Sequence, residues 1–222
     1  MSRLDTDDFF TQTFQAPSDA YPTLGQDATL NILINHIGSC EWRCHSLFFT
    51  AVRAVVGQSI STKAAQTVFN RILEATRLEP TTILALDEPD LLALGLSKQK
   101  VTAITGLAQL EVNGQLTTSD LAVLTERITA IRGIGVWTAE MIAIFSLGAD
   151  DIWPISDLAL IFAGRDLYDV TGKPALRNLG EQFRPYRSIA MWYFWRWVEL
   201  GQPELKTLLK ASAPANPSTA IE

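Results

Sequence analysis

The residues in this chain best placed to do chemistry are a glycine turn and a carboxylate that follows it, with Asp157 standing 22 residues after Gly135. The turn is Arg132-Gly133-Ile134-Gly135, set between two helical patterns. A Gly-x-Gly turn of this kind can aim several backbone N–H groups, together with the positive end of the next helix, at one anionic atom such as a phosphate oxygen. Glycine suits the turn because it accepts positive φ and leaves no side chain between backbone and ligand. By itself such a turn is more often an ordinary corner between helices. Asp157 ends the apolar linker Trp153-Pro154-Ile155-Ser156 and opens the next helix, so one helix and one loop place it relative to the turn. An aspartate at a helix start ordinarily caps that helix, and position alone leaves both roles open.

The elements that must hold these residues read almost entirely as helix. Leu47–Val56 is a dense apolar run that breaks at Gly57-Gln58-Ser59. Ser61 and Ser97 are placed to cap helices continuing through Val68, Ile72 and Leu73, and through Val101, Ile104 and Leu107. Leu121, Leu124, Ile128 and Ile131 repeat at spacings of three and four. The helix they define stops at the glycine turn, and another begins near Val136 with Trp137, Met141, Ile144 and Phe145 on its inner side. Ser188 precedes a long aromatic helix, IAMWYFWRWVEL. No internal repeat or period-2 strand stands out, so the expected fold is all-α with short connections. Residues 1–26, containing Pro17 and Pro22, read as an irregular arm, and residues 211–222 as a disordered tail.

Composition bounds the possibilities. The chain has 222 residues, 47% hydrophobic and 19% charged, which suits a globular protein and argues against disorder. No apolar run approaches the roughly 18 residues needed to span a bilayer, and MSRLDTDDFF carries acids where a signal peptide would be basic and then apolar. The net charge of −6 argues against a nucleic-acid partner, although much of it lies at the N-terminus, where residues 1–30 hold five acids and one base. Two cysteines cannot supply the four thiolates of an iron–sulfur cluster. His36, Cys40, Cys44 and His45 have spacings compatible with a metal site, but also with a buried helix face, which is the preferred reading.

The string IRGIGVWTAEMIAIFSLGADDIWPISDLAL resembles the helix-hairpin-helix plus Gly/Pro…Asp signature of the base-excision DNA glycosylases, above all their AlkA-like 3-methyladenine branch. Three further stretches agree in order. LFFTAVRAVVGQSISTKAA resembles the segment that enters the duplex, LGLSKQKVTAI the family's Gly-Leu-Ser…Lys element, and FRPYRSIAMWYFW its Arg-Pro-aromatic-Arg-Ser helix start. Together they span roughly Leu47 to Trp197.

The resemblance implies two helical lobes around a cleft: residues 47–150 carrying the hairpin, and 27–46 with 151–210 carrying Asp157. It implies a monofunctional enzyme that flips an alkylated base out of duplex DNA and hydrolyses its N-glycosidic bond. Asp157 would stabilise an oxocarbenium-like sugar or orient the attacking water. Trp137, Met141 and Tyr186 would form the base pocket, with Met141 standing where AlkA-like enzymes carry an aromatic. Bifunctional relatives place a Schiff-base lysine at the position of Trp137, so that nucleophile is missing.

Gly133, Ile134 and Gly135 would face phosphate, helped by Arg132, Gln58, Lys63, Lys98 and Lys100. The duplex wedge falls on Ser59, small for the task, with Gln58 or Ile60 able to fill the gap. A monovalent cation, Na+ or K+, would sit on the carbonyls of Thr129, Ile131 and Ile134, and the chemistry itself needs no cofactor. Too few residues precede Leu47 for the extra N-terminal α/β domain of AlkA proper, so a compact form is expected. The expected state is a monomer, nucleoid-associated in a bacterial cytoplasm or nuclear in a eukaryote. Two other readings stay open: a non-catalytic helix-hairpin-helix DNA-binding module, and a glycosylase for a deaminated or mismatched base.

Overall fold

Helix dominates the computed structural model, which describes residues 9–212. The chain runs β1 (Phe10–Gln15), α1 (Ala20–Leu24), α2 (Ala28–Ile37), β2 (Glu41–His45), α3 (Leu47–Gly57), α4 (Thr62–Thr76), α5 (Pro80–Ala85) and α6 (Glu88–Ala93). It continues as α7 (Lys98–Val112), α8 (Leu121–Thr129), α9 (Val136–Phe145), α10 (Leu158–Tyr168), α11 (Lys173–Glu181), α12 (Arg187–Glu199) and α13 (Leu205–Ser212). The chain divides into two compact units. Of the described residues, the first takes in 9–14 and Trp42–Ala149, and the second Gln15–Glu41 and 150–212.

The first unit is organised by α3, which is apolar around most of its circumference and therefore packs on several sides, against α4, α7 and α9. Phe49, Val52, Val55 and Val56 meet Phe69 and Ile72 of α4, Ile104 and Leu107 of α7, and Ile142 of α9 in one core. Each such side chain contributes about 1.5–3 kcal/mol on burial. The two predicted serine caps form: Ser61 Oγ accepts from Ala64 N and Ser97 Oγ from Lys100 N, both at 3.3 Å. In the second unit α2 packs on α12 and α13, and α10 on α11 and α12. An aromatic cluster of Trp153, Tyr168, Phe183 and Phe194 fills its centre, and Trp153 Nε1 donates to the Leu176 carbonyl at 2.8 Å.

Three expectations need correction. Residues 1–26 are not an irregular arm throughout, since β1 and α1 lie within them, while residues 1–8 fall outside the described residues. The absence of strands also fails, because β1 and β2 pair in a two-stranded sheet. Its end bonds, Ser46 N to Phe9 O at 3.0 Å and Ala16 N to Cys40 O at 3.1 Å, run the strands antiparallel. Finally, His36, Cys40, Cys44 and His45 do not share a helix face: α2 stops at Ile37, and Cys44 and His45 lie on β2, where Trp42 and Cys44 alternate inward. Among the described residues no cluster of three or more His, Cys, Asp or Glu could hold a metal. Burial pushes the thiols of Cys40 and Cys44 up, as expected of inert packed cysteines. Of the expected tail, α13 takes residues 211 and 212, and the remainder lies outside the described residues. The aromatic helix begins at Arg187 with Tyr186 at its cap position, two residues before the expected start at Ile189 after Ser188.

Candidate active site

The glycine turn joins α8 to α9 as the spacing predicts. Gly133 sits at φ +95°, in the region glycine alone visits readily. A Cβ there would also lie 3.0 Å from Gln99 Cγ and 3.3 Å from the Gln99 carbonyl oxygen. Gly135 has an extended backbone (φ −112°, ψ 178°) and begins α9 without a capping side chain. A helix opened this way presents amide hydrogens and its positive end to whatever approaches. Ile134 N donates to the Ile131 carbonyl at 3.1 Å, which closes the turn.

The loop after α3 is tied to this turn. Gln58 Nε2 donates to the Gly133 carbonyl at 3.4 Å and to Thr138 Oγ1 at 3.3 Å. Gln58 is thereby committed to the hairpin. Ser59 adopts φ +59°, a strained value for a residue with a side chain, and Ile60 beside it is 41% exposed, unusual for a large aliphatic residue.

Trp137 and Met141, one turn apart on α9, open onto a cavity of about 350 Å³ in the first unit. Trp42, Phe49 and Phe145 supply more of its apolar wall. Trp42 is locked there by its indole N–H, which donates to the Ile144 carbonyl at 3.1 Å, and by stacking on Phe14 at 3.8 Å between ring centroids.

Asp157 belongs to the second unit and is 7% exposed. It caps α10, with Oδ1 accepting from Ala159 N at 2.8 Å, and the same oxygen accepts from Trp195 Nε1 at 3.2 Å. The loop leading to it is fastened to the start of α12. Ser188 Oγ accepts from Ile152 N at 2.9 Å, Ser188 N donates to the Asp150 carbonyl at 2.9 Å, and Arg187 grips Asp151 through Nε at 2.6 Å and Nη2 at 3.0 Å. Trp195 gave no sign of this role in the sequence, where it reads as one of several packing tryptophans. Only its position two turns beyond Ser188 hinted at a shared helix face.

Tyr186 also lies in the second unit. It is buried, and its hydroxyl donates to Asp19 Oδ2 at 2.6 Å, an interaction that raises the phenol pKa.

The candidate basic residues divide. Lys63 and Arg132 are exposed. Lys98 lies 3.9 Å from Glu88, and Lys100 Nζ donates to the Val56 carbonyl at 2.8 Å, where it closes the end of α3.

The chain belongs to the HhH-GPD superfamily of base excision DNA repair proteins, matching it over residues 52–186. Within that superfamily it is similar to DNA-3-methyladenine glycosylase 1 of Schizosaccharomyces pombe, 33% identical over 67% of this chain and 71% of that protein. The alkylbase DNA glycosidase-like protein mag2 of the same yeast is 28% identical over 74% and 85%. Among solved structures, S. pombe 3-methyladenine DNA glycosylase (Mag1) in complex with abasic DNA superposes with a TM-score of 0.76 at 28% identity, covering 84% of this chain and all of that one. DNA-3-methyladenine glycosidase from Bacillus halodurans gives 0.67 at 27% identity over 90% of this chain and all of that one.

Proposed function

We propose that this chain is a monofunctional DNA glycosylase that hydrolyses the N-glycosidic bond of alkylated bases, 3-methyladenine the type substrate, in duplex DNA during base excision repair. The observation that carries this reading is Asp157, a carboxylate buried and held by two donors at the start of α10.

The glycosidic carbon cannot be reached inside the base stack, so the nucleotide must be flipped out. Trp137 and Met141 offer the flipped base an aromatic and a polarisable surface. An N-alkylated purine carries positive charge and leaves readily, so the protein's task is to stabilise the sugar cation left behind. Asp157, a fixed anion in a desolvated setting, does this electrostatically and orients the attacking water. With Trp137 in the place of a Schiff-base lysine, the abasic product stays uncut.

Ile60 is the wedge that fills the space of the extruded nucleotide, lifted by the strained backbone of Ser59, while Gln58 braces the loop. The amides of Gly133 and Gly135 take a phosphate, with Lys63 and Arg132 adding unspecific attraction. The carbonyls of Thr129, Ile131 and Ile134 are the hard, neutral oxygens a monovalent cation prefers, and their turn is already closed by a backbone bond. When bound, such an ion neutralises a DNA phosphate, and no step of the bond cleavage depends on it. The protein acts as a monomer where DNA is, in nucleoid or nucleus. Among the described residues no helix is long and apolar enough to cross a membrane.

The test is release of 3-methyladenine from alkylated duplex DNA by the wild type and by Asp157→Asn, with duplex affinity measured alongside. Asparagine keeps the helix cap, so the variant should bind DNA normally yet release base roughly a hundredfold more slowly or worse. A wild type that binds DNA but releases no base from any of a panel of modified duplexes would replace this reading with a non-catalytic DNA-binding module.

A further inference from the structure

The cavity that holds Trp137 and Met141 is basic as well as aromatic. Arg43, His45 and Arg53 contribute to its wall, and among the described residues no aspartate or glutamate does. Arg53 is the most telling of the three. Every other residue of α3 from Phe48 to Val56 is buried, and Arg53 alone in that stretch is exposed. Its guanidinium lies 5.9 Å from the Phe69 ring centroid, and it pairs with no carboxylate among the described residues. It also borders a second recess of about 190 Å³, lined by Thr62 and Gln66 and, among the described residues, again free of acids. The neighbouring helices desolvate it enough to lower its pKa, yet a guanidinium stays protonated at any physiological pH. Its charge forms no ion pair among the described residues, so the fold gains none from it.

We infer that Arg53 is a catalytic residue on the leaving-group side, touching the flipped base and drawing the electrons of the breaking bond onto it. This rests on the reading that the cavity receives the base. When the bond between C1′ and the ring nitrogen breaks, its electron pair stays on the nitrogen and cancels the positive charge of an N-alkylpurine. C1′ takes up that charge, adds the oxygen of a water molecule, and the released proton passes to solvent. The base thus becomes more negative by one charge as the reaction proceeds. A fixed cation beside it repels the bound substrate and ceases to repel the departing base, so it favours the transition state over the ground state. The face of Trp137 attracts the cationic base and keeps it seated against that repulsion. Arg53 thus makes the base a poor place for positive charge as the bond breaks.

The experiment uses the full chain and a duplex bearing one 7-methylguanine. Single-turnover release is measured for the wild type, Arg53→Met and Arg53→Lys. Affinity for lesion and undamaged duplex is measured in an Asp157→Asn background. Arg53→Met is expected to slow release on the order of tenfold to a hundredfold while the lesion duplex binds as tightly as before or more tightly, and Arg53→Lys retains most of the rate. A fall in rate without loss of affinity marks removed ground-state repulsion, which a merely structural or phosphate-binding arginine does not produce. Unchanged release by Arg53→Met overturns the inference. So does slower release accompanied by weaker binding of both duplexes, which identifies a backbone contact. A wild type that releases no 7-methylguanine removes the underlying reading and the inference with it, an outcome distinct from an active wild type with an indifferent variant.

Discussion

Trp195 Nε1 donates to Asp157 Oδ1, the same oxygen that caps α10 through Ala159 N. One carboxylate oxygen is therefore fixed from two helices at once, and α12 holds the approaching loop a second time through Ser188. The orientation of the Asp157 carboxylate is a property of α12 as much as of α10.

Removing that bond tests its purpose. Trp195→Phe keeps most of the ring surface and deletes the donor. A net hydrogen bond of this kind is worth about 1 kcal/mol, so the melting temperature should fall only slightly. Base release should slow by roughly tenfold as the carboxylate loses its alignment, with duplex affinity unchanged. Wild-type release rates in this variant would show that Asp157 is positioned without Trp195.

The two hairpin glycines should respond differently to alanine. At Gly133 the positive φ costs about 1–2 kcal/mol for any L side chain, and contact with Gln99 adds to it. Gly133→Ala should therefore lower the melting temperature. Gly135 has a negative φ and nothing within 4 Å of a built Cβ. Gly135→Ala should melt like the wild type yet bind duplex DNA more weakly, because the methyl group stands where the phosphate is proposed to approach. Equal binding by Gly135→Ala and the wild type would move the phosphate away from this turn.

Lys63, Arg132 and Lys100 separate surface charge from structural charge. Neutralising Lys63 and Arg132 together should flatten the plot of log affinity against log salt by about one unit per lost phosphate contact. Lys100→Met should leave that slope alone and reduce stability, because its ammonium serves the Val56 carbonyl. Salt titrations of duplex binding with thermal melts distinguish the two. A slope that follows Lys100 instead would reverse the assignment.

Alkaline pH should destabilise the second unit. Burial, with the charge of Asp27 next, raises the pKa of Tyr168 above its unfolded value of about 10. The folded state then holds a proton that the unfolded state gives up, so stability is intact below about pH 10 and is lost as pH climbs beyond it. Tyr168→Phe should weaken the fold at neutral pH, since the hydroxyl donates to Asp27 Oδ1 at 2.9 Å. It should also show a shallower alkaline decline. Tyr193, raised in the same direction by burial, leaves a residual slope. Denaturant titrations across pH 8 to 11 measure both effects; parallel curves for the two proteins would show that Tyr168 does not titrate in this range.

What could be read beforehand was whatever depends on neighbours in the chain. The caps of Ser61 and Ser97, the start of α9 after Gly135 and the place of Asp157 at the head of α10 all follow from local residue types. The β1–β2 sheet was missed although Glu41-Trp42-Arg43-Cys44-His45 alternates as a strand should, because five residues between long helices give a weak period, and spacings of four near Cys40 suggested a helix. Lys100 read as a surface charge because nothing local shows that the Val56 carbonyl lies within reach. The same holds for Arg53, whose meaning depends on aromatic residues scattered from Trp42 to Phe145. Trp195 required knowing which face of α12 meets α10.

The second unit is assembled from Gln15–Glu41 and from residues beyond Asp150, so α2 finds α12 and α13 only across the whole of the intervening first unit. During synthesis from the N-terminus, Leu30 and Leu33, both completely buried in the finished protein, emerge early and wait for partners not yet translated. The hairpin and the aromatic cavity lie wholly in residues that can close into a core during that wait. The unit bearing Asp157 can form only after the residues that follow Ala149 have been made. A nascent chain stalled after Ala149 would carry the hairpin and the aromatic cavity without Asp157, the carboxylate proposed above to act on the sugar.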